Sequence, residues 1–175
     1  IHTDMPLQTD EAAGQNSTDG ANIDYYLKGN LNDEVTLNIL DAKGNMVRHY
    51  SSNDNLYKIP EVDIPLYWIR RQEILSAKEG PHRFVWDLHY TPLNIAPSYP
   101  IAAIYKNTAP EPTSPWIMPG TYKIVLKVNG QTFSQPLIIK MDPRVKTSSP
   151  DLQRQHDFSL MCYEGRKNIT FVSNE

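Results

Sequence analysis

The chain offers five histidines and 20 acidic residues, and their spacing decides which reactions are open to it. His82 and His89 stand seven apart. On a regular strand an odd separation puts them on opposite faces, so they cannot share a metal without a bulge. His49 and His156 stand alone. No His/Asp/Glu set has ligand spacing, so neither a transition-metal site nor any other cofactor is expected. Glycoside hydrolysis needs two carboxyls facing each other at roughly 5–9.5 Å, and no spacing here singles out such a pair. Asp87 follows Trp86 directly, and its simplest work is to hydrogen-bond the turn backbone beyond a strand. The sequence lacks a Gly-x-Ser-x-Gly elbow, a phosphate-cradling glycine loop and a His-Glu-x-x-His pair. Its single cysteine, Cys162, allows neither an intrachain disulfide nor a Cys-based zinc site. No catalytic residue is expected in this chain.

The residues with a sharper chemical option are aromatic. Tyr67, Trp68, Tyr99, Tyr105 and Trp116 all fall in loop-like, proline-rich stretches. Exposed rings there could stack on sugar rings or on a partner surface. The competing use is mechanical, with the rings pinning long loops onto the body of the fold. That use is the simpler one, because ordered loops of such length need anchors.

The elements that must carry these loops read mainly as strands. Residues 1–20 are polar and without period, and an extended linker is expected there. Ile23 to Leu27 reads as a strand. From Glu34 to Leu40, Val35, Leu37 and Ile39 share one face. Asp41-Ala42-Lys43-Gly44 makes a tight connection to a hairpin partner over residues 45–51. Leu66 to Arg71 fits a strand or a helical turn, and Pro60 and Pro65 favour extended chain around it. His82 to Leu88 reads as a strand with Phe84, Trp86 and Leu88 facing the core. Residues 91–119 form a long proline-rich loop.

Residues 121–141 give the clearest hairpin. Asn129-Gly130 suits a two-residue turn that pairs Val128 with Gln131, Leu126 with Phe133 and Tyr122 with Leu137. Pro136 cannot donate to a ladder, so its amide position should face a sheet edge or a bulge. Ser149-Pro150-Asp151 reads as a helix start with Ser149 as cap. The helix is expected to run to about Gly165, with Leu152, Phe158, Met161 and Cys162 as its apolar stripe. The expected layout is a linker over 1–20, an all-β immunoglobulin-like sandwich over 21–142 and a helical tail over 143–175. Trp86 is expected between the two sheets, as in many sandwiches.

Bulk properties narrow the partners. The 175 residues suffice for one domain with a core and flanking segments. A net charge of -3, from 17 basic and 20 acidic residues, points away from nucleic acid and from an anionic membrane surface. No apolar run approaches the roughly 18–20 residues that cross a bilayer. The residues from Ile1 do not read as a signal peptide, and both ends are expected to be cut from something longer.

Together these segments resemble a known group. Leu40-Asp41-Ala42-Lys43-Gly44-Asn45-Met46-Val47-Arg48, His82-Arg83-Phe84-Val85-Trp86-Asp87 and Pro119-Gly120-Thr121-Tyr122 look like the three signatures of the immunoglobulin-like module of the flagellar hook-capping protein. Over nearly its full length the chain is similar to the C-terminal region of large secreted bacterial β-propeller proteins. These are sortilin-like or sialidase-repeat proteins, often grouped with the glycosyl hydrolases. Gly20 to Leu27, Tyr67 to Arg70, Ser98 to Ala102 and Lys140 to Val145 also carry the resemblance, which departs at Ile69-Arg70-Arg71-Gln72, where a proline would follow the arginine. The resemblance implies a secreted, periplasmic or cell-surface accessory domain whose partner is an N-terminal propeller of the same parent chain. Such a propeller would hold any active site. A carbohydrate-binding module that uses the loop aromatics is the alternative. Self-association through the helix stripe at Phe158 and Met161 is a further expectation.

Overall fold

A computed structural model describes residues 12, 14, 17–30, 33–56, 59, 63–93, 103–109 and 114–173. Its elements, in chain order, are β1 (Ala21–Leu27), β2 (Thr36–Leu40), β3 (Met46–Ser51), a 3-10 turn (Leu66–Trp68), β4 (Gly80–Trp86), β5 (Gly120–Val128), β6 (Gln131–Ile139) and α1 (Ser149–Ser173). The strands form two antiparallel sheets. One is the pair β1-β4, and the other has the order β3-β2-β5-β6. The fold is therefore β-rich, with two sheets sharing a core and one C-terminal helix.

The core follows from the alternation of the strands. Val35, Leu37 and Ile39 are fully buried, as their spacing requires. Phe84 and Trp86 reach them from the opposite sheet and are also buried. Phe84 meets Tyr50 of β3 edge-on, with ring centroids 4.5 Å apart, and Trp86 meets Tyr122 of β5 at 5.7 Å. Each ring thus bridges the two sheets. The two polar tips are satisfied inside: the Trp86 indole N–H donates to the His89 carbonyl at 3.1 Å, and the Tyr122 hydroxyl donates to the Met118 carbonyl at 2.7 Å. Burial pushes the Tyr122 hydroxyl up to about 12, with the charges of Tyr90 and Asp41 adding to it.

Local chemistry sets the turns. Asp41 Oδ1 accepts the amides of Lys43 and Asn45, both at 2.8 Å, and closes the β2–β3 connection. A one-residue register shift follows, so that Leu40 pairs with Met46 and Ile39 with Arg48. Asn129 (φ 48°) and Gly130 (φ 70°) make the β5–β6 turn, and the expected pairs Val128–Gln131, Leu126–Phe133 and Tyr122–Leu137 all form. β6 is an edge strand, which accommodates Pro136.

Expectations change for β4 and for α1. β4 ends at Trp86, because Leu88 has φ 61° and leaves the strand. It packs only partly buried against the core. The helix cap is Ser148, one residue earlier than expected: its carbonyl accepts the Leu152 amide and its hydroxyl oxygen the Asp151 amide. α1 also runs through Gly165 to Ser173. A glycine inside a helix costs only about 1 kcal/mol, so it need not stop one.

The face of α1 turned to the loop after β4 keeps only Leu152 of the apolar stripe read from the sequence. Leu152, His156, Ser159, Leu160 and Tyr163 are the partly buried positions, whereas Phe158, Met161 and Cys162 are exposed. The Tyr163 hydroxyl donates to the Thr91 carbonyl at 2.8 Å, and the His156 ring lies against Tyr90. Polar-tipped side chains make the contact here, so hydrophobicity alone pointed to the wrong side. No helix among the described residues is long and apolar enough to cross a membrane.

Candidate functional site

The 3-10 turn and the segment around Tyr105 bring three of the five aromatics together. Tyr105 meets Trp68 with ring centroids 5.8 Å apart and Tyr67 at 6.3 Å, both edge-on. The backbone beneath is stitched: the Thr108 amide donates to the Trp68 carbonyl and the Arg70 amide to the Thr108 carbonyl. Ile69 and Thr108 are buried under this junction. Trp68 and Tyr105 are half-buried here, and their rings hold two loops against each other. Tyr67 is 65% exposed at the rim.

Trp116 forms a separate feature. It bridges to His89 through the backbone, and its ring lies over the buried His89 imidazole, with centroids 3.8 Å apart. The indole is 58% exposed, so one part of it is available to a ligand. Two residues earlier in the chain, Ser114 donates to the Tyr90 carbonyl at 2.5 Å, and the buried Arg48 donates to the same oxygen at 2.8 Å. Among the described residues, this ring meets His89 and not Tyr67, Trp68 or Tyr105. Tyr99 lies outside the described residues.

The acids are placed in turns and ion pairs. Asp87 Oδ1 accepts the His89 amide at 3.2 Å, just beyond β4. Asp24 binds Arg83 through both carboxylate oxygens at 2.7 and 2.8 Å, and this pairing lowers its pKa. Partial burial pushes Asp41 up, but hydrogen bonds from Asn45 and the Lys43 amide outweigh it, and the net shift is down. Such shifts hold these carboxyls in the ionised form. Glu73 goes the other way, raised by burial. Its acid strength follows from the folded path of residues 71–77, which no motif in the sequence announces.

Two more groups were invisible from sequence. His156 has a buried Nδ1 without a hydrogen-bond partner, and its Nε2 lies 3.3 Å from the Tyr90 hydroxyl. Arg48 lies under the Tyr90 loop, with its guanidinium 5.0 Å from the Tyr50 ring centre. Both join parts of the chain far apart in sequence, and only folding brings them there. Among the described residues, no three His, Cys, Asp or Glu side chains gather as a metal cluster would require. Comparison with protein-family models, curated proteins and solved structures returned no match.

Proposed function

We propose that this chain is an immunoglobulin-like accessory domain of a larger secreted β-propeller protein, which packs on the propeller, spaces it or mediates its assembly. One observation carries the reading: Trp86, the most distinctive residue of the resemblance, is a fully buried bridge between the sheets. The neighbouring signature residues also have structural work. Asp41 closes a turn, and Tyr122 caps the Met118 carbonyl. A fold used this way supports positioning of a neighbour more than turnover of a substrate, although fold alone does not establish function. The test is to challenge the purified chain with a panel of glycosides and to unfold it with and without chelator. The reading expects no hydrolysis and one cooperative transition that chelation leaves in place. Turnover that saturates with any glycoside overturns it.

A second reading has its own observation in the exposed Trp116 indole. A carbohydrate-binding surface would use that face for ring stacking. On a glycan array it requires saturable binding that Trp116→Ala abolishes. Self-association through α1 rests on the exposed side chains of Phe158 and Met161. Light scattering before and after removal of residues 149–175 decides it, because only an α1-mediated dimer returns to monomer mass.

A further inference from the structure

The two sheets do not match in width. β1-β4 has two strands and faces a sheet of four, and among the described residues nothing pairs with the far edge of β1. Between that edge and β6 lies an open groove of about 960 Å³. Its apolar lining includes Ile23, Leu37, Ile124, Leu126, Phe133 and Leu137. Leu37 and Ile124 belong to the buried core, so the groove continues that core outward. Phe133 is 53% exposed there, although the strand pattern points it inward with Leu126.

The backbone says what fits. Pro81 of β4 has no N–H and stands opposite Tyr26. That pair must therefore be of the type that exchanges no hydrogen bonds. By alternation Asn22, Asp24 and Tyr26 all aim their amide and carbonyl groups away from β4, toward the groove. Such a row of unpaired groups is a template for another strand. The opposite rim differs, because Pro136 sits at the non-bonded position opposite Lys123 and removes a donor from the edge of β6. Of the two rims, β1 thus offers the uninterrupted row.

We propose that this groove accepts an extended segment of another polypeptide, added as a strand beside β1. Its inward side chains, at alternate positions, are apolar and rest on Leu126, Phe133 and Leu137. Its outward side chains are polar and lie beside the Asp24–Arg83 pair. The seven residues of β1 span about 23 Å at roughly 3.3 Å each, enough for a strand of similar length. A second copy of β1 is a poorer occupant, since antiparallel pairing centred on Asp24 sets two carboxylates opposite each other. The proposal is independent of the accessory-domain reading.

The test uses the full chain, labelled with ¹⁵N, and the synthetic peptide Lys-Thr-Val-Thr-Ile-Thr-Val-Thr-Lys. A control peptide carries proline in place of isoleucine. The amides of Asn22, Asp24 and Tyr26 should shift, and their hydrogen exchange should slow at least tenfold, with the first peptide only. Phe133→Asp should weaken binding at least tenfold, and Asn22→Pro, which removes an outward N–H, should do the same. Phe133 is half-exposed, so its variant should fold. Equal binding of both peptides, shifts confined to the loops of Tyr67 or Trp116, or the absence of binding would overturn the proposal. So would protection of β1 that grows with protein concentration in the absence of peptide, because a second copy would then be the occupant.

Discussion

Gly20 is held by its neighbour rather than by its own turn. A Cβ added there lies 2.3 Å from the Trp86 carbonyl oxygen, and its φ is +153°. Backbone cannot yield as a side-chain tip does, so Gly20→Ala should cost on the order of 2 kcal/mol. Denaturant unfolding should show a lower midpoint with an unchanged slope. Asp142 makes a second residue-scale prediction. Hydrogen bonds from the Arg144 side chain, and then from its backbone amide, hold this carboxyl at about 2. A depressed folded value favours the ionised form, so the contribution to stability is present above the ordinary value of 3.8 and is lost as pH falls through about 2. An NMR titration of the Asp142 carboxyl should show a midpoint near that value, and Arg144→Ala should return it toward the ordinary one.

At the scale of elements, legibility followed the kind of signal. The β5–β6 hairpin was readable to the residue pair, because Asn129-Gly130 and the alternating side chains demand the same register. β2 was equally plain. β4 was read two residues too far along the chain, over His82–Leu88 instead of Gly80–Trp86, since Leu88 continues the period while its backbone turns left-handed. α1 was misread at both ends and on its docking face. Its cap distinguishes Ser148 from Ser149, which sequence could not do with three candidate residues in a row. Ser148→Ala should therefore cost about 1 kcal/mol, whereas Ser149→Ala should leave stability nearly unchanged. Thermal unfolding of the two variants separates them. The docking face was hidden because His156 and Tyr163 contact Tyr90 and Thr91, in the loop after β4, through polar tips.

For the whole molecule, the candidate site was only partly legible. Composition and turn context located Tyr67, Trp68, Tyr105 and Trp116 in loops, but not which rings meet. Trp68 and Tyr105 turn out to brace two loops, while Trp116 presents an open face over His89. The groove beside β1 depends on the unequal widths of two sheets, a property of topology that no local pattern encodes. What joins these scales is the inter-sheet core, on which the scaffold proposal rests. Hydrogen exchange of the three tryptophan indole N–H groups tests that core most directly. The account predicts that the Trp86 indole, bonded to the His89 carbonyl and shielded from water, exchanges far more slowly than that of Trp116. Exchange of Trp86 as fast as that of Trp116 would contradict it.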